Sequence, residues 1–456
     1  MKNTSSIPTR LTAAGSLALL FSAFLPVASA ADLTWINTGA TANWDTSSSF
    51  WNNGSADVAW TDNNAAVFVG NGVFRTITLN QNVQATELRG DGTSGGTIKL
   101  TGASMKLDVP QFNTTANANF DVDVVITGSH GLTKTGNGRI TLYKASDYTG
   151  ATELNATNAG TGLSEIYLKI NNALSTTAFN IVGGTAKSRL ILNGTANGSA
   201  GISQEFSALT GDGRILARTG NNTLTINTVS GATSTFSGGL NEFNVTTGQS
   251  LSLVIKGAGT QVLTGTTNTY VGATTIQGGT LRLGANLSGT SSVTVSGGTL
   301  SSNVANVNLG LGGVSMSAGA INIRDTGAAG TFTLAANQNF STTGGSLNFD
   351  LLGSSSFDQI IGSGTGSFSL IDTTLVLSGS FTSVAGTYQL FSGFGGTNSV
   401  SGLTITGIGS GFTGSLDTTG LLTISVASIP EPSTYAALAG IATLGLAALR
   451  RRSPRA

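Results

Sequence analysis

The chain has 456 residues, 9% of them charged and 39% hydrophobic, with 64 glycines, a single histidine and no cysteine. The formal charge is balanced, yet Lys2, Arg10, Arg450, Arg451, Arg452 and Arg455 lie in the two ends against one carboxylate there, Glu431, leaving 15 basic and 20 acidic residues between Ala31 and Ile429. Thiolate catalysis, cysteine metal sites and disulfide staples are excluded, and the mild acidity gives no basic patch for nucleic acid. In chain order the first element is a leader. Lys2 and Arg10 precede an apolar stretch from Ala13 to Val27, and Ala28-Ser29-Ala30 closes it. These are the three parts of a secretory signal peptide with cleavage after Ala30, so residues 1–30 are set apart from the fold.

All four tryptophans, Trp35, Trp44, Trp51 and Trp60, follow within the next 30 residues. Two readings stand open for this segment, taken as 31–75: a cap over the open end of a stacked fold, or an aromatic platform for sugar rings.

From residue 76 to 428 short apolar alternations recur between glycines and asparagines, as in Thr76-Ile77-Thr78-Leu79, Leu190-Ile191-Leu192 and Ser292-Val293-Thr294-Val295. Runs this short and rich in β-branched residues predict strands joined by tight turns. Lys134 to Leu154 and Lys256 to Ile276 match at an offset of 122 residues, with Tyr148 aligned to Tyr270 and Gly150-Ala151-Thr152 to Gly272-Ala273-Thr274. A shorter echo, Gly278-Gly279-Thr280-Leu281 and Gly297-Gly298-Thr299-Leu300, returns after 19 residues. Turns about 20 residues apart predict an all-β solenoid of roughly 20 coils, about 100 Å long, with the 122-residue offset equal to about six coils. The segments Asn268-Thr269-Tyr270-Val271-Gly272 and Gly278 to Leu281 resemble the autotransporter-associated β-strand repeat. In the first copy Ser146 stands in place of the asparagine. The resemblance implies a right-handed parallel β-helix displayed outside the cell. No segment resembles the membrane barrel of that family, so the last export step is expected from elsewhere in the chain.

Candidate chemistry is sparse. Gly409-Ser410-Gly411-Phe412-Thr413-Gly414 fits a dinucleotide fingerprint only formally, because no helix follows. Gly92-Thr93-Ser94-Gly95-Gly96 fits a nucleophile elbow, with His130 the one histidine that could serve it. Asp121 and Asp123 would share a strand face, the geometry of an acid/base pair or a calcium site, and Asp212 stands near Arg214 in a turn. These keep a polysaccharide lyase or hydrolase as the alternative to a structural or adhesive matrix protein. The expectation is no catalytic residue, no metal and no cofactor.

The chain closes on Ile429 to Ala456. Pro430-Glu431-Pro432 precedes an uncharged stretch, Thr434 to Leu449, rich in alanine and leucine and expected to be helical; Arg450, Arg451 and Arg452 follow. The 16 residues reach about 24 Å, a marginal membrane span; the arginines would hold its end in the cytoplasm, and the prolines would keep Glu431 on extended backbone. This tripartite tail resembles the PEP-CTERM sorting signal of Gram-negative bacteria with exopolysaccharide-rich envelopes. The resemblance implies an exosortase-like processing enzyme as partner, transient anchoring in the inner membrane, delivery to the cell surface or extracellular matrix, and exopolysaccharide as a further partner. A permanent C-terminal anchor is the other reading.

Overall fold

A computed structural model describes residues 30–115, 118–156, 159–194, 201–244, 248–428 and 432–451. Ala28 and most of the expected signal peptide lie outside the described residues, and Ala30 is exposed.

Alternation of inward apolar and outward polar residues organises the structure, as in Asn119–Thr127, where Phe120, Val122, Val124 and Ile126 are buried and the residues between them are half-buried. Such strands pair in parallel with their equivalents one winding earlier and later. Register partners trace one unbroken inward column: Leu33, Ala66, Leu88, Phe112, Lys134, Leu154, Ile181, Gly211, Phe236 and Leu263. It continues through the strand of Leu281 and Leu283 to Leu300, Ile321, Leu347, Leu375 and Ile405. A second column begins at Thr41–Trp44 and runs through Gly138–Leu142 and Ser188–Asn193 to Gly239–Glu242. A third is a regular ladder from Ser203–Phe206 to Ser399–Ser401. These columns, with a further parallel ladder of Asn306–Asn308, Thr331–Thr333, Gln359–Ile361 and Phe391–Ser392, pack around one apolar core that extends from Leu33 to Ile424. This all-β, mostly parallel arrangement fits a β-solenoid.

Two expectations about its dimensions are corrected. The column has sixteen rungs, separated by 19 residues between Leu281 and Leu300 and by 33 between Leu33 and Ala66. At about 4.8 Å per rung the stack is roughly 70 Å long, not 100 Å. Coil length varies because only the paired strands must match their neighbours, whereas the turns between them face solvent and accept extra residues. The 122-residue offset is also not six coils. Lys134 belongs to the first column, but Lys256 lies in the third, in the strand Gln249–Gly257. Phe236 and Leu263, four and five rungs after Lys134, bracket that position. The second copy is therefore wound one side short of five turns.

Antiparallel strands close both ends. Trp51–Asn52 pairs with Asp32–Trp35 and Asp57–Val58. At the other end Leu421–Val426 pairs with Gly386–Gln389 and Phe412–Leu416. A single helix, Pro432–Arg451, follows.

Candidate functional site

Why the repeat has its particular residues is visible in its packing. Tyr148 and Tyr270 are fully buried, and each hydroxyl finds the threonine four residues on: Thr152 at 2.5 Å and Thr274 at 2.6 Å. A buried phenol needs such a partner, and burial pushes the Tyr148 hydroxyl up to about 12. The glycine between them is fixed by close stacking. A Cβ at Gly150 would stand 2.3 Å from the Gly131 nitrogen, and one at Gly272 2.2 Å from the Leu251 oxygen. Asn268 completes the second copy, accepting from the Leu240 nitrogen at 3.2 Å and donating to the Gly265 oxygen at 2.8 Å. The motif is a turn-and-stack device.

The lysines that begin the two copies have different fates. Lys134 points into the core between Phe112 and Leu154, with its Nζ donating to Thr114 Oγ1 at 2.8 Å, to the oxygens of Thr135 at 2.9 Å and Gly136 at 3.1 Å, and to Ser164 Oγ at 3.1 Å. Burial pulls it down to about 7. Lys256 points outward, 3.5 Å from Glu205, because Ile255 takes the inward position. The shifted glycines after Lys256 are the sequence trace of that one-residue slip.

Several of the candidate groups have partners of their own. Asp121 and Asp123 do share an outward face, but Asp121 lies 3.7 Å from Arg139 and Asp123 3.5 Å from Lys144. His130 pairs with Asp108, and its Nδ1 is 2.8 Å from the Gly131 oxygen. Gly92 and Ser94 end the strand Val83–Ser94, and the next strand begins at Thr97, so no strand-to-helix elbow forms. Gly409 to Gly414 leads into the strand Phe412–Leu416. Asp212 accepts from the Gly183 nitrogen at 3.1 Å and the Gly184 nitrogen at 3.0 Å, tying two turns together. Among the described residues no group of three histidine or carboxylate side chains is placed to hold a metal ion.

The tryptophans are not a sugar platform. All four are buried, and their rings contact one another at centroid distances of 4.8 to 4.9 Å, with Phe68 beneath. No ring face is left for a ligand.

One outer face does collect unusual side chains. On the second column Arg139, Glu165, Arg189 and Arg214 stand in register on successive rungs. Beside them the outward Tyr167, Ile191 and Leu216 form a small apolar cluster with Phe243 against it. The cluster is buried although it lies outside the core, because long side chains lie over it. The Arg218 guanidinium sits 5.6 Å from the Tyr167 ring and 4.6 Å from the Phe243 ring, and Arg139 sits 5.3 Å from Tyr167. Sequence reading missed this face because its residues come from strands about 25 residues apart.

In the tail, Pro430, Glu431 and Arg452 lie outside the described residues. Pro432 opens the helix two residues before the expected Thr434, a position proline favours, and Arg450 and Arg451 are its last two residues. The expected transmembrane helix is not supported: no described helix is long and apolar enough to cross a membrane. Gly440, Thr443 and Gly445 dilute its apolar content, although Leu438, Ile441, Leu444 and Leu446 are exposed.

Two family models match the chain. The Passenger-associated-transport-repeat model covers residues 132–156 and 253–283, the two segments built around Tyr148 and Tyr270. The PEP-CTERM protein-sorting motif covers residues 428–452, which include Pro430, Glu431, Pro432 and the arginine cluster. No curated protein matches the chain. Sorting motifs of this kind imply recognition by an exosortase and export to the envelope. The chain thus carries two copies of a passenger-associated transport repeat and a PEP-CTERM sorting motif.

Proposed function

We propose that the protein is an exosortase-sorted, surface-displayed β-solenoid with a structural and adhesive role in the extracellular matrix, and that it is not an enzyme. The observation that carries this reading is the sorting motif at 428–452, attached to a long stacked ladder with polar outward rows. The winding is right-handed, as parallel crossovers overwhelmingly are, and the tryptophan cluster caps the first rung against end-to-end pairing. Thr, Ser and Asn on the outer rows supply many weak hydrogen bonds to exopolysaccharide. The tail helix rests at the inner membrane only until the processing enzyme acts, with its exposed leucines in the interface.

Replacing Pro430, Glu431 and Pro432 together by alanine tests the sorting step. The variant should still leave the cytoplasm but remain full length in the inner-membrane fraction, as read by fractionation and intact mass. Arrival at the cell surface without the tail would overturn the reading. For the enzymatic question, the purified chain incubated with acidic and neutral polysaccharides should release neither reducing nor unsaturated ends. Release that Asp121→Ala or Asp123→Ala abolishes would make the protein a polysaccharide-active enzyme instead.

A further inference from the structure

We infer that the outer face of the second column, from Arg139 to Phe243, is a docking strip for a linear, sparsely charged anionic polysaccharide. This proposal gives the adhesive role above a specific surface and ligand class, and it rests on that reading.

The argument begins with charge. From the rung of Asp121 to that of Phe243 the strip holds Arg139, Lys169, Arg189, Arg214 and Arg218 against the carboxylates Asp121, Glu165 and Glu242, with Asp123 and Lys144 offsetting each other, an excess of two positive charges on a chain whose central region is net acidic. Arg139 and Arg189 are partly neutralised, at 3.7 Å from Asp121 and 3.6 Å from Glu165. Arg214 and Arg218 have no carboxylate at ion-pair distance among the described residues. The local field is felt by Lys169, which is pulled below the usual lysine range by partial burial and by the charges of Arg218 and Arg139.

Geometry selects the ligand. The rungs repeat at about 4.8 Å, so the guanidinium groups form a straight, rigid array that suits an extended polymer better than a compact one. Duplex DNA carries one charge per about 1.7 Å, far denser than this strip, and the interleaved Glu165 would repel it. A chain with at most one carboxylate per sugar matches both spacing and sparsity. Tyr167 and Phe243 hold the arginine stems in place, so little side-chain entropy is lost on binding.

The test uses the purified full chain with polygalacturonate as the anionic polymer, dextran as the neutral one and duplex DNA as the dense polyanion. Polygalacturonate should bind at least about tenfold more tightly than dextran or DNA, and binding should weaken steeply with salt. Arg189→Gln/Arg214→Gln/Arg218→Gln should weaken it at least about tenfold, whereas Lys106→Gln/Lys256→Gln, on other faces, should not. Should the triple variant melt early, the single Arg214→Glu serves instead, since Arg214 has no carboxylate at ion-pair distance to lose among the described residues. Equal affinity for dextran, tighter binding of DNA, or indifference to the strip variants at unchanged melting temperature would overturn the proposal. Surface display of the unaltered chain is read separately: display without polygalacturonate binding sinks the strip alone, and binding without display sinks the matrix role alone.

Discussion

Lys134 occupies a rung of the core that its neighbours fill with Phe112 and Leu154. Its four oxygen partners satisfy the ammonium hydrogens, but removal from water pulls its pKa from 10.5 to about 7. Between those values the unfolded chain holds the proton and the folded chain does not. Raising the pH from 7 toward 10 therefore favours folding, and the destabilising contribution is fully present below pH 7. Urea unfolding at pH 6.5 and 9.5 should show stability rising by a few kcal/mol, net of other groups. Lys134→Met should flatten that rise; an unchanged slope would mean that the ammonium is not the titrating group. A lysine in an alternating strand gives no sign of which way it points, so the buried role of Lys134 and the exposed one of Lys256 were not separable before the register was known.

At the scale of one repeat, the tyrosine, glycine and threonine act as a unit, but the glycine carries the larger energetic demand. Gly272→Ala forces a Cβ to 2.2 Å from the Leu251 oxygen, a backbone atom that cannot move without opening the ladder. The expected cost is about 3 kcal/mol or more. Tyr270→Phe removes one hydroxyl, and Thr274 keeps its 3.0 Å bond to Thr290, so about 1 kcal/mol should be lost. Thermal or urea denaturation of the two variants orders them directly, and the reverse order would show that the hydroxyl pair, not the stacking distance, holds the turn. The strands and these turns were legible in the sequence because alternation and glycine are local signals. The arginine strip was not, since each of its residues looks unremarkable until rungs about 25 residues apart are brought into register.

The whole molecule follows from adding rungs. Sixteen of them predict a rod of roughly 70 Å, and small-angle scattering of the purified chain should return an elongated particle of about that length. A sphere, or a rod near 100 Å, would contradict the register. The longer estimate came from taking the 19-residue echo as the coil length. That spacing holds from Leu281 to Leu300, whereas Ile181 and Gly211 are separated by 30 residues. The sorting tail was legible almost entirely, because its signal lies in contiguous residues, although helix hydropathy argues against a simple span.

The two copies of the repeat lie on different sides of the stack, the first starting on the column of Leu132 and the second on that of Leu253. The same short tile thus works on more than one side of the stack. Such a stack can lengthen by one side as readily as by a full turn. An inserted or deleted side would rotate everything beyond it by one face while leaving each joint intact. The azimuth at which the arginine strip faces outward, relative to the tail that delivers it, is therefore adjustable independently of the length of the rod.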